Sequence, residues 1–119
     1  MLVSYMTSFY AAIDQRFSAL ADPTRRAIVE RLVRGPARVS DLAQPFGMAL
    51  PTVMQHIKVL EHSGLIRSEK VGRVRTCALD PDALRGIEGW FTAQIRLWEA
   101  RFDRLDALAT QLAMEEPHD

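Results

Sequence analysis

Apolar residues recur along this chain at two spacings, one helical and one strand-like. Phe9, Ile13, Phe17 and Leu20 follow the helical period and predict a first helix over residues 8–20. Asp22 and Pro23 suit the cap and first position of a second helix over residues 24–33. Its inward set reads as Ala27, Ile28, Leu32 and Val33, with Arg25, Arg26, Glu30 and Arg31 largely outward, and Gly35-Pro36 stops it. Ser40 is the expected cap of a short third helix with Leu42 and Ala43 inward, which Pro45 and Gly47 end. A fourth helix is predicted over residues 50–62, with Pro51 in its first turn and Leu50, Val53, Ile57 and Leu60 as its buried stripe. Ser63-Gly64 closes it.

The period then changes. Residues 65–70 and 74–79 read as two strands joined at Gly72. Asp80-Pro81 opens a last helix, expected to run to about Met114. Leu84, Phe91, Trp98, Leu105 and Leu112 repeat in it every seven residues, and Ile87, Ile95, Phe102 and Leu108 widen the stripe. Residues 115–119 read as a disordered tail. At 1.5 Å per residue such a helix is roughly 48 Å long, against a radius of gyration near 13 Å for a domain of about 100 residues. Its stripe therefore needs a partner. A two-fold dimer, with this helix packed on its copy and on the first helix, is the simplest solution. Phe9, Ile13, Phe91, Ile95, Trp98, Phe102 and Leu105 are the candidate interface residues. The alternative is a helix that breaks at Gly86 or Gly89 and folds back on its own domain. Trp90 and Trp98 fit interface core, with an inducer pocket as the functional alternative.

Composition narrows the class. The 119 residues are one domain's worth, with 48% hydrophobic and 25% charged residues, as in a folded globular protein. No apolar run approaches the roughly 20 residues of a membrane span, and residues 1–10 lack the charged start of a signal peptide. A lone cysteine, Cys77, fits a reducing compartment, and a cytoplasmic location is expected. The net charge of zero hides segregation: residues 1–50 and 51–80 each carry +2, and residues 81–119 carry −4. A basic surface can thus coexist with overall neutrality.

The chemistry on offer is recognition. A helix fitting the major groove meets base edges with its exposed side chains. On the fourth helix Gln55 can pair bidentately with adenine, and Thr52 and His56 can bond to bases or phosphates. Met54 can touch a thymine methyl group or pack in the core, and Lys58 suits phosphate. Lys70, Arg73 and Arg75 surround the hairpin tip, where they can straddle a phosphate or enter the minor groove. The plainer readings are a solvated helix face and a hairpin edge charged against aggregation.

In order along the chain, Asp22-Pro23-Thr24-Arg25-Arg26, Ser40-Asp41-Leu42-Ala43, residues 50–61 (LPTVMQHIKVLE), Gly64-Leu65-Ile66, Gly72-Arg73-Val74-Arg75 and Leu79-Asp80-Pro81 resemble the ArsR (ArsR/SmtB) family of winged-helix transcriptional regulators. The match covers about residues 15–85. The resemblance implies a mainly α winged helix-turn-helix fold in the order α-α-α-α-β-β-α, a single domain over residues 1–119 with dimerisation helices at 8–20 and 81–113. It also implies a homodimer on double-stranded DNA at a palindromic, inverted-repeat operator. Family members are mostly repressors released by an inducer, here an unknown small molecule if one exists.

One departure matters. Metal-sensing members carry Cys-Val-Cys-Asp-Leu where this chain has Arg38-Val39-Ser40-Asp41-Leu42, and residues 81–113 hold no histidine for the family's other metal site. Soft and borderline metals need thiolate or imidazole, so we expect no metal site and no cofactor. His56, His62 and His118 do not converge. No catalytic constellation is present, so the chain is not expected to be an enzyme. Cys77 is expected to be a small packed residue, with a redox switch as its alternative role. The competing class is a winged-helix module for protein interaction or assembly that does not bind DNA.

Overall fold

The computed structural model describes the backbone of residues 2–115 and side chains from Thr7 onward. Its elements are α1 (Leu2–Leu20), α2 (Pro23–Val33), β1 (Ala37–Arg38), α3 (Val39–Ala43), α4 (Leu50–His62), β2 (Ile66–Val71), β3 (Val74–Leu79) and α5 (Pro81–Glu115). The fold is mainly helical with a small sheet, as expected. The described residues fall into two compact units, one up to Ile87 and the other α5 from Glu88 onward. Residues 116–119, four of the five assigned to a disordered tail, lie outside the described residues, and Glu115 is the last residue of α5.

Local chemistry explains most boundaries. Asp22 caps α2 by accepting a 3.0 Å hydrogen bond from the backbone N–H of Arg25. That bond, opposed by desolvation and helped by the nearby Arg25 charge, holds the Asp22 carboxyl below its ordinary 3.8. The C-terminus of α4 is a Schellman motif: Leu65 N–H donates to Leu60 O at 3.2 Å, and Gly64 N–H to Glu61 O at 3.0 Å. It needs a left-handed residue, and Gly64 supplies φ +82°.

The structure corrects several expectations. α1 begins at Leu2, not residue 8. Ser40 is not a cap, because α3 starts one residue before it, behind the extended Arg38. That start follows from a strand the period did not announce: β1 pairs with β3, Ala37 opposite Cys77 and Arg38 opposite Thr76, giving an antiparallel sheet in the order β1-β3-β2. In α2 the third inward residue is Val29, and Val33 is exposed. On a wheel of about 100° per residue, Val29 lies nearer the face centred on Ile28 and Leu32 than Val33 does. Leu50, the first residue of α4, is also exposed.

One core fills the first unit. Ile28, Leu42, Val53, Ile57, Leu60 and Leu65 are fully buried, and Ala83 and Ile87 bring the first turns of α5 into the same cluster. Cys77 is buried on the central strand, as expected of a packed residue, and desolvation pushes its thiol up to about 11. α5 runs unbroken through Gly86 and Gly89. Beyond Ile87 its large apolar residues Phe91, Ile95, Trp98, Phe102 and Leu105 are exposed, and Trp98 and Phe102 pack edge to face at 4.6 Å.

Candidate nucleic-acid interface

Helix α4 and the β2–β3 hairpin are built into one body. The core stripe Val53, Ile57 and Leu60 turns the opposite face of α4 outward, and Thr52, Gln55 and Lys58 stand exposed there. At the far end of α4, Glu61 accepts a hydrogen bond from the Ser68 hydroxyl of β2. Ser68 in turn accepts a 2.8 Å bond from the Arg75 guanidinium of β3. Helix, first wing strand and second wing strand are thereby joined in one polar chain.

The hairpin turns through Gly72 and Arg73. Gly72, at φ +62°, takes the positive-φ position of such a two-residue turn. Register places Lys70 opposite Arg75. Residues directly opposite in an antiparallel pair share a face, and like charges there are destabilising. Both side chains, with Arg38, Arg73, Leu50 and Met54, line a cleft of about 270 Å³ between the hairpin and the start of α4. Lys70 and Arg73 are exposed. Arg38 is held by Asp41 through two bonds of 3.1 and 3.3 Å, an exposed pair that orients the side chain more than it stabilises the fold.

The sequence had offered eight residues for DNA. Thr52, Gln55 and Lys58 share the outer face of α4, and Lys70, Arg73 and Arg75 meet at the cleft. Met54 is half-buried against the core and also lines the cleft. His56 differs from expectation. Its side chain is 19% exposed, and Nδ1 lies 3.5 Å from Nη1 of Arg25 and 3.9 Å from a carboxylate oxygen of Asp22. It faces the α2 cap rather than standing free on the outer face. Arg38 was not among the candidates. Its signal was present in β1, one residue before α3, but only the pairing with β3 brings it to the cleft.

Comparison with known proteins agrees with this geometry. The family description "helix-turn-helix domain" matches residues 20–69, the span from the end of α1 into β2. The chain is 44% identical to the HTH-type transcriptional regulator Rv2034 of Mycobacterium tuberculosis over 80 residues, 67% of this chain and 75% of that protein. A crystal structure of an ArsR family transcriptional regulator is 55% identical, covers 75% of this chain and 92% of its own, and superposes with a TM-score of 0.72. The chain belongs to the ArsR family of transcriptional regulators. An ArsR-like transcriptional regulator from Rhodococcus sp. RHA1 is 27% identical, covering 84% of this chain and 94% of its own at a TM-score of 0.74. The arsenical resistance operon repressor of Escherichia coli is 30% identical over 85% of both chains. These relatives are transcriptional regulators, a non-enzymatic family.

As an ArsR-family member the protein is a helix-turn-helix transcriptional regulator. Among the described residues no three His, Cys, Asp or Glu side chains converge to hold a metal ion. No helix among them is long and apolar enough to cross a membrane. Of the residues offered for a dimer interface, Phe9, Phe91, Ile95, Trp98, Phe102 and Leu105 are exposed. Ile13 is 3% exposed, so it is already covered in the folded chain and offers no surface to a second copy.

Proposed function

We propose that the protein is a dimeric, sequence-specific repressor that binds an inverted-repeat operator in the cytoplasm and does not answer to the metals that bind its metal-sensing relatives. The observation that carries the DNA reading is the opposed pair Lys70 and Arg75. Lys70 and Arg75 stand opposite each other across the hairpin, with Arg38 and Arg73 on the same cleft, and four cations on one cleft suit a polyanion. Thr52 and Gln55 on α4 read base edges, and Gln55 suits adenine. Lys58, Lys70, Arg73, Arg75 and Arg38 take phosphates and fix the register of the protein on the duplex.

The dimer reading rests on α5, whose apolar stripe continues bare beyond Ile87 together with Phe9 of α1. A second copy covers such a stripe with an identical one, and two-fold symmetry then calls for an inverted repeat. Metal independence rests on Arg38 and Ser40 in the thiolate positions and on the lack of histidine in residues 81–113.

Selection of bound fragments from genomic DNA with the purified protein tests the proposal. The expected product is an inverted repeat with half-sites about one helical turn apart, roughly 34–36 Å. On that repeat Gln55→Ala should lower discrimination at one base pair by about 1–3 kcal/mol while leaving binding to random DNA unchanged. Equal loss on operator and random duplex would remove Gln55 as a base reader. No enrichment at any salt would favour a protein-interaction module instead.

A further inference from the structure

The guanidinium of Arg16 lies where three helices meet. From the middle of α1, Arg16 Nε donates a 3.2 Å hydrogen bond to the carbonyl of Ser63, the residue that caps the C-terminus of α4. Ser63 is buried, and its hydroxyl donates to Leu60 O at 2.7 Å and accepts from Leu65 N–H at 3.3 Å. Arg16 thus grips the junction at which the reading helix ends and the hairpin begins. A cation beside the carbonyl end of a helix is also favourably placed in the field of its dipole.

The other two nitrogens lie against glycine backbone. A Cβ built on Gly64 would stand 3.5 Å from Nη2, and one built on Gly86 would stand 3.1 Å from Nη1, tighter than ordinary packing. Gly64 has a separate reason to be glycine in its positive φ. Gly86 does not: it sits in the helical interior of α5, where alanine is the better helix former. The other glycine of that helix, Gly89, has no atom within 4 Å of the corresponding position. The bare backbone at Gly86 is the space that Arg16 occupies.

We infer that Arg16 is a positioning residue for DNA recognition, clamping α1 and the first turns of α5 to the end of the reading helix. This rests on the dimer proposed above. With α1 and α5 as the subunit-joining helices, the clamp fixes the spacing between the two reading helices of the dimer. Its loss loosens that spacing without unfolding either subunit.

The test is a distance measurement by pulsed electron resonance in the full-length protein, without DNA. A nitroxide is placed on Val59→Cys of α4 in a Cys77→Ala background, so that each subunit carries one label. The parent should give a narrow distance distribution. Arg16→Ala should widen it, because the contact that supports the end of α4 is removed. Arg16→Met, which keeps the side-chain stem but loses the Nε donor to Ser63, should widen it as well, and Gly89→Ala should not. Thermal melting checks that each variant is folded, and if Arg16→Ala does not fold, Arg16→Met decides alone. An unchanged width in the folded variants overturns the clamp while leaving the dimer intact. A monomeric mass with no dipolar signal in the parent overturns the dimer reading and the clamp with it.

Discussion

Helices α4 and α5 carry the same kind of apolar stripe and meet opposite fates. In α4, Val53, Ile57 and Leu60 are each 0% exposed, covered by the rest of the first unit. In α5, Ala83 and Ile87 join that core, and the stripe then continues bare for more than twenty residues. At 1.5 Å per residue the 35 residues of α5 span about 52 Å. The difference teaches that periodicity states that a face will be covered without stating by whom. For α4 the cover is local; for α5 it must come from elsewhere, and a second copy is the proposal above.

The contrast can be broken by experiment. The largest effect is expected from Trp98→Glu, which puts an unpaired charge in the proposed interface once per subunit. Breaking charge balance in a buried contact costs about 3–5 kcal/mol, so dimer affinity should fall by at least a hundredfold. Sedimentation should then report a monomer, while the helical signal of the first unit persists. If the mass does not change, Trp98 is not in the interface. Next, Ile57→Ala should destabilise the folded chain by about 2–5 kcal/mol in urea titration, through the cavity it leaves. Leu105→Ala should lower the stability of an isolated subunit far less, because the side chain is already exposed there.

Smaller effects sharpen the outer face of the same comparison. Arg73→Ala should weaken binding to operator and random DNA alike and reduce the salt slope by about 1. A change confined to one base position would make Arg73 a sequence reader. The smallest concerns Cys77. Its folded thiol titrates at about 11 against an ordinary 9.0. The unfolded chain therefore loses this proton first as pH rises. The contribution of the buried thiol is fully present below pH 9 and is lost as pH climbs towards 11. Cys77→Ala should show a flatter alkaline limb in pH-dependent melting, and a limb as steep as the parent's would assign it to other groups.

The sequence was most legible where backbone chemistry leaves no choice. Pro51 and Gly64 bracket α4, and its predicted and observed bounds coincide at Leu50 and His62. Gly72 marks the hairpin turn for the same reason. Legibility failed where structure comes from pairing at a distance. β1 has only two residues, too few to show a period, and exists because β3 lies beside it. Arg38 was overlooked as a cleft residue on that account. His56 was misread because a polar residue on the flank of a helix looks outward until the α2 cap is placed against it. Neither Asp22 nor Arg25 is near it in sequence. Arg16 was invisible for a related reason: its partners are a carbonyl and two glycines, none of which a side-chain pattern displays.

The opposed cations of the hairpin have one more consequence. Added salt screens Lys70 from Arg75 in the free wing, and the same salt would weaken the contacts proposed between those charges and phosphate. One buffer series therefore acts on this strand pair in two directions. On the proposed reading, the salt that best screens the free wing is the salt at which it would grip a duplex least.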